Sequence, residues 1–590
     1  MTGGQTSSKV FRLILIKPSH YDDEGYVIQW LRSSIPANSL ATVYGLALDC
    51  AERKVLGEDV EIRLAALDET NTRIKVDDIA AQIKAGGGSG LVGLVGVQSN
   101  QFPRAMDLAR KFRAAGVPVA MGGFHVSGCL AMLNEMPADL QEAVDEGISL
   151  FAGELESGRL DSLLRDAYAG RLQPVYNYMS DLPGIGGEAP PFLPIGVIEK
   201  TAGKRASFDA GRGCPYLCSF CTIINVQGRR SRYRSADDVE RIIRKQLAQG
   251  VHNFFITDDN FARNRDWETL LDRIIHLREV EKLNITIIIQ VDTMCHKIPR
   301  FIEKAGRAGV TRVFIGMENI NPDALQEARK GQNRITEYRA MLQAWHSVGA
   351  LTYAGYILGF PGDTPETIER DIKIIQRELP VDLLEFFILT PLPGSRDHKE
   401  LLETGQYMDP DMNKYDLEHV TTRHPTMSPE ELKRVYLKAW DIYYSPGHVA
   451  TVIRRAKAWG FDPRHMMIKL LSFYACIKLE KMHPLEGGLF RRKYRRDRRP
   501  GFPTENPLVF YSRYLWELLD KYTRFAVMTF QYKAILRRVM KETDDALAGD
   551  VAMMPVAEDE LEKLELYNVT EAAKVSVKKI KRHKSAAPAL

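Results

Sequence analysis

The sequence predicts an α/β chain in three parts. These are an N-terminal Rossmann-like doubly wound sheet, a central partial (βα)6 TIM-like barrel and a C-terminal, mainly α-helical region. Three observations predict it. Short, near-continuously apolar runs alternate with amphipathic stretches in two separate series, the mark of parallel strands covered by helices on both faces. A Pro- and Gly-rich stretch, DLPGIGGEAPPFLPIG (181–196), stands between the series and reads as a linker. Beyond about residue 410 the strand pattern stops and helical periodicity alone continues.

In the first unit, placed at 1–190, FRLILI (11–16), VEIRLAALD (60–68), LVGLVGV (91–97), VPVAMGG (117–123) and ISLFAGE (148–154) read as buried strands, with FPRAMDLARKFRAAG (102–116) an amphipathic helix. Ligands on such sheets bind at the C-terminal strand edge. Here that edge collects Lys17 to His20, Gln98 to Asn100, Gly122 to His125, and Gly153 with Glu154. The second unit, 200–410, runs KRASFDA (204–210), NFFITDD (253–259), NITIIIQV (284–291), TRVFIGME (311–318), LTYAGYILGF (351–360) and LLEFFILT (383–390) as strands. Its helices are expected at 235–250 from a Ser235 cap, 267–282, 299–309 opened by Pro299, 336–349, and 364–379 from a Thr cap. Six such repeats suggest a partial barrel with its chemistry on the loops after the strands. Helices at 428–444, 448–460, 465–482 and 510–543, with no strand between them, fill 411–545. The remainder, 546–590, is expected to be a disordered basic tail.

Composition narrows the class. Of 590 residues, 45% are apolar and 26% charged, the balance of a globular chain. No apolar run approaches the roughly 18 residues of a membrane-spanning helix, and the start, MTGGQTSSKVF, lacks a secretory core. Seven cysteines are too few for a disulfide framework, so a reducing cytoplasm is expected. A net charge of +4 argues against a whole-surface nucleic-acid binder. The local basic excesses, RRKYRRDRR (491–499) and KVSVKKIKRHK (574–584), read first as solvated surface.

The chemistry concentrates in GRGCPYLCSFC (211–221). Cys214, Cys218 and Cys221 follow the first barrel strand with C-x3-C-x2-C spacing. A structural zinc site needs a fourth thiolate or imidazole, and Cys50, Cys129, Cys295 and Cys476 are isolated in sequence. Three thiolates can instead hold three irons of a 4Fe–4S cluster and leave the fourth iron open to a substrate or cofactor.

This triad, with Phe220 just before the last cysteine, resembles the signature of the radical SAM enzymes. The resemblance covers about residues 200–400. It implies that S-adenosylmethionine (SAM) binds the open iron and is cleaved to a 5′-deoxyadenosyl radical, with electrons from a donor such as flavodoxin or ferredoxin. It also implies the SAM contacts. Asp258, Asp259 and Asn260 stand where the family meets the methionine amino group, and Glu318 where it meets the ribose. Gly355, Ile357 and Gly359, in GYILGFPG, stand beside the adenine. TPLPGS (390–395) also looks like this family.

A Rossmann-like unit ahead of such a barrel resembles the cobalamin-dependent branch. The segments that carry this are IKPSHYDDEG (16–25), QSNQFPRAMDLARKFRAAGVPVAMGGFHVSG (98–128) and DEGISLFAGELESGRLDSLL (145–164). The resemblance implies cobalamin at Ser99, Gly122, Gly123, His125, Gly153 and Glu154. No D-x-H-x-x-G motif supplies a cobalt-ligating histidine. The expected activity is methylation of an unactivated carbon of a small-molecule or lipid substrate, with one SAM consumed for the radical and another to remethylate cobalamin. A non-methylating radical oxidoreductase or cyclase is the alternative. A non-catalytic metal protein that binds nucleic acid is a distant one. SPGHVATVIRRAKAWG (445–460) resembles the helical ending of these barrels. The aromatic-rich helices beyond it read as core, as a wall for an apolar substrate, or as an interfacial surface beside the arginine cluster.

Overall fold

The computed structural model describes residues 9–542, 547–555 and 563–585. The first series forms a parallel sheet of β1 (Lys9–Lys17), β3 (Val60–Asp68), β4 (Ser89–Leu94), β5 (Val119–Gly122), β6 (Ser149–Ala152) and β7 (Val175–Asn177), in the order β3-β1-β4-β5-β6-β7. Alternate residues face opposite sides and both sides are buried. Leu13, Leu15, Leu91 and Phe151 belong to one apolar cluster; Ile14, Ile16, Val92, Leu94 and Met121 belong to the other. Two buried faces demand apolar residues at successive positions, which is why LILI and LVGLV do not alternate with polar ones. The strand order reverses between β1 and β4, the switch point where ligands bind on such sheets.

The second series forms β8 (Arg205–Phe208), β11 (Asn253–Ile256), β12 (Thr286–Val291), β13 (Val310–Glu318), β14 (Leu351–Leu358) and β15 (Leu383–Ile388), parallel in the order β15-β14-β13-β12-β11-β8. Among the described residues no ladder joins β8 to β15. Between β8 and β11, β9 (Gly211–Arg212) pairs antiparallel with β10 (Arg232–Tyr233). The helix Ala236–Leu247 starts at a capping box on Ser235, and the helix Pro365–Glu378 at one on Thr364. These caps satisfy amide groups that would otherwise be orphaned at the helix starts and so fix both entry points.

Five expectations change. The helix expected to open at Pro299 starts at Phe301, because Arg300 takes a left-handed conformation at φ 61°. The helix expected over 465–482 is Pro463–Ala475, followed by a π-turn, Cys476–Glu480, that ends at left-handed Lys481. The C-terminal region does contain a strand. β16 (Gly488–Arg492) pairs antiparallel with β2 (Gln29–Ser33), a partner more than 400 residues away that no local pattern could reveal. The tail is structured over its described residues. Ala552, Leu566, Tyr567 and Ala573 are fully buried, and Arg455 pairs with Asp550 at 2.8 Å. A small apolar set, Leu564, Leu566, Tyr567, Ala573 and Val577, does the packing there. The 181–196 stretch, too, is held down: Ile185 is buried and its carbonyl accepts from Arg234.

Candidate active site at the cysteine loop and the sheet-edge cavity

The cysteine loop leaves the C-terminal end of β8 and is pinched at its base by the β9–β10 ladder. Asp258, after β11, fixes that base. Its carboxylate accepts from the Ala210 and Gly211 amides at 2.7 and 2.8 Å and from Asn264 at 3.0 Å. A β-carbon at Gly211 would lie 2.8 Å from Asp258 Oδ2, so glycine is required there. Asn260 donates to Asp292 at 2.9 Å, and Arg263 and Tyr216 converge on the same carboxylate. Asp258 and Asn260 therefore brace the loops.

Asp259 is different. Among the described residues no hydrogen bond or ion pair from a neighbouring side chain engages it, and it senses Cys214 and Cys221. Burial first, then the adjacent Asp258, pushes its carboxyl up to about 7. Asp258 is likewise pushed up to about 7, chiefly by burial.

Of the three thiols, Cys218 is buried and Cys214 and Cys221 are half-buried. Burial raises Cys214 and pushes Cys221 up to about 12, so a metal must supply the drive to deprotonate them. Gln332 donates to Cys218 Sγ at 3.4 Å. Among the described residues no three His, Cys, Asp or Glu side chains converge on a point that could hold one metal ion. A cluster asks for a different arrangement, one thiolate on each of three irons. The donor set fits it.

Glu318 closes the far side. It ends β13 at a register shift against β14, at φ 61°, a strained conformation for glutamate of the kind that collects at functional sites. Its carboxylate pairs with Lys330, which is buried, lies 5.8 Å above the Phe220 ring and faces Cys218 and Cys221. Burial opposes the Lys330 charge, but Glu318 and the thiols outweigh it and raise its pKa. Phe220, Ile357, Phe360 and Phe387 form an apolar shelf beside this pair. Gly355 belongs to the same surface. A β-carbon there would lie 3.2 Å from both Phe314 and Phe387, so the glycine gives room to two aromatic rings. Gly359, at φ 93°, donates to Asp363 and shapes the turn after β14. Sequence reasoning missed Lys330 and Gln332; they sit in an irregular loop with no spacing to mark them.

A cavity of about 180 Å³, open at its mouth, runs along one face of the N-terminal sheet to its C-terminal edge. Leu15, Gly93 and Ala120 are register neighbours on its floor, and the two small residues make the trough. The helix Asn38–Glu52 covers it with Asn38, Ser39 and Thr42. Asn38 Oδ1 and Thr42 Oγ1 are buried without a hydrogen-bond partner among the described residues. Gly122, Gly123, Gly153 and Glu154 line the rim. Gly123, at φ 153°, has no space for a side chain: a β-carbon would lie 2.1 Å from the Val97 nitrogen. Ser99 and His125 do not reach the cavity. They bond to each other at 3.2 Å, and His125 also contacts Asp139 at 2.9 Å and packs its ring, tilted, against Phe102. His20 contacts Glu486 at 2.8 Å.

The cavity and the cysteine loop meet. Arg212, Val226 and Gln227 line it from the barrel side. Glu154, on the rim, binds Arg232 at 2.6 Å and Arg212 at 2.9 Å, and Arg212 also binds Glu156 and Asp209. One buried ion-pair network thus joins the sheet edge to the base of the cysteine loop.

Residues 210–375, from the cysteine loop to the helix after β14, match the family described as the radical SAM superfamily. Those residues form a radical SAM domain. The chain is 29% identical, over 344 residues, to the bacteriochlorophyllide d C-12(1)-methyltransferase of Chlorobaculum tepidum, spanning 57% of this chain and 70% of the relative. Its fold is shared with cobalamin-dependent radical SAM enzymes. The radical SAM methyltransferase TsrM from Kitasatospora setae, solved with cobalamin and a 4Fe–4S cluster bound, superposes with a TM-score of 0.50 at 18% identity, over 67% of this chain and 75% of that one. The cobalamin-dependent radical SAM enzyme OxsB, solved with aqua-cobalamin and SAM bound, superposes with a TM-score of 0.50 at 12% identity, over 97% and 84%. Radical SAM enzymes use a 4Fe–4S cluster and SAM, and the three thiols, one buried and two half-buried, beside the Asp259 carboxylate suit both.

Proposed function

We propose that this chain is a cobalamin-dependent radical SAM methyltransferase acting on an unactivated carbon of a small-molecule or lipid substrate, in the cytoplasm and with an external reductant. Cys214, Cys218 and Cys221 hold the cluster. Asp259 receives the methionine amino group, being the carboxylate near the thiols that no other side chain uses. Glu318 and Lys330 offer an acceptor and a cation to the polar parts of SAM, and Phe220, Ile357 and Gly355 an apolar surface to its adenine. Gly122, Gly123 and Gly153 bring bare backbone to the cavity rim, where Asn38 and Thr42 offer polar atoms suited to the amide-rich periphery of a corrin. Bound there, the cluster and SAM supply a radical that removes a hydrogen atom from carbon, and cobalamin supplies the methyl group.

The observation that carries this reading is the junction. Arg212, Val226 and Gln227, on either side of the cysteines, line the sheet-edge cavity, and Glu154 clamps the two together. The methyltransferase relative supports it from sequence.

The test uses deuteromethyl-labelled SAM with the anaerobically reconstituted enzyme and cobalamin. The methyltransferase reading expects the label in protein-bound methylcobalamin before any substrate is added. SAM cleavage with no label in the corrin would instead favour a radical oxidoreductase or cyclase.

A further inference from the structure

The helix Pro507–Val539 has 33 residues and is about 50 Å long. It buries only Phe510, Tyr532, Ile535 and Val539. At ~100° per residue, its charged side chains between Leu508 and Tyr532 fall on the packed side or its flanks. Glu517 binds Lys493 at 2.9 Å and Lys521 binds Glu480 at 2.7 Å. The outward side over the same length carries no charge. It presents Leu508, Leu515, Trp516, Leu519, Tyr522 and Phe530, with Leu508 80%, Trp516 72% and Phe530 70% exposed. Beside it, Phe490 is exposed at a left-handed φ of 56°, its ring 6.2 Å from Tyr522. An apolar stripe of this length on a chain's exterior marks an interaction surface.

We infer that this face docks the enzyme on an anionic lipid surface, lying in the interface rather than crossing it. Among the described residues no helix is long and apolar enough to span a membrane. The stripe carries Trp and Tyr, whose amphipathic rings suit the headgroup level. Its two ends are basic. Lys533 and Arg537 enter the outward face at the C-terminal end, and Arg492 and Arg496 flank the N-terminal half, where Lys493 and Tyr514 fix their segment to the helix. None of these four makes an ion pair within the described residues. Pairing with a second copy, parallel or antiparallel, would set these basic ends against each other. Anionic headgroups neutralise them. The inference holds whichever reaction the barrel performs.

Flotation tests it. Full-length protein is mixed with phosphatidylcholine vesicles, with and without phosphatidylglycerol, at low and high salt. Expected is co-flotation with the anionic vesicles that weakens with salt. L519E/F530E, two side chains already exposed, should keep the parent melting temperature and SAM cleavage and lose binding by at least about tenfold. K533E/R537E should lose the preference for anionic lipid while its fold stays intact, which covers the case in which the first variant does not fold. Two results overturn the inference. One is no flotation with either vesicle; the other is a wild-type dimer in solution that these variants convert to monomer, which would assign the face to a second copy.

Discussion

Asp258 and Asp259 are adjacent and carry different duties. Asp258 spends its carboxylate on two backbone amides of the cysteine-loop base; Asp259 keeps its own free. Asp259→Asn should therefore fold and hold iron normally but raise the KM for SAM roughly tenfold, the scale of one lost charge-assisted hydrogen bond. Asp258→Ala should lower iron content and melting temperature together. Equal iron loss in both variants would contradict this division. Glu385 gives a pH test. It is buried in β15, where its Oε2 accepts no hydrogen bond and lies 3.9 Å from His483 Nε2, and burial pushes its carboxyl up to about 8. A carboxyl raised on folding favours the folded state while protonated. Its contribution is complete below the ordinary carboxylate pKa and is lost as pH rises to about 8, by at most about 1.4 kcal/mol per pH unit. Melting temperature should fall across that window, and Glu385→Gln should flatten the fall; an unchanged slope would reject the assignment. The three cysteines were legible because their spacing is a local signature. Lys330 was not, because its meaning lies in being buried against Glu318 and the thiols, which only the fold creates.

At the scale of elements, the sequence marked the strands of both sheets, since two-sided burial leaves near-continuous apolar runs. It marked the helix starts at Ser235 and Thr364, whose caps are local chemistry. It missed β16, whose pairing with β2 is entirely non-local. It placed Glu154 at the right strand edge and assigned it to cobalamin. The structure instead spends this carboxylate on Arg212 and Arg232, which join the sheet edge to the cysteine loop. All three side chains are nearly buried, so leaving the arginines without their partner should cost about 3–5 kcal/mol. Glu154→Ala should lower the melting temperature, and it should shed both iron and corrin during gel filtration. Loss of corrin alone, with iron and stability intact, would mean that the residue serves only the cavity.

At the scale of the whole molecule, the order of sheet, barrel and helices was readable, while the cavity between them was not. Its floor depends on Gly93 and Ala120 lying side by side in adjacent strands, a register that sequence does not print. Gly93→Leu should fill the trough, because its β-carbon would meet only side-chain tips, Leu15 at 3.0 Å and Val95 at 3.8 Å. The variant is expected to keep its iron and lose most of its corrin in reconstitution. The central claim is that one chain brings an iron–sulfur cluster and a corrin together at the Glu154 junction. The measurement that tests it most directly is anaerobic reconstitution with iron, sulfide and hydroxocobalamin, followed by gel filtration, metal analysis and a visible spectrum, with Cys218→Ala alongside. The account predicts about four irons and one corrin per wild-type chain, and loss of the iron with all SAM cleavage in Cys218→Ala. Zinc in place of iron, no retained corrin, or SAM cleavage that survives in Cys218→Ala would contradict it.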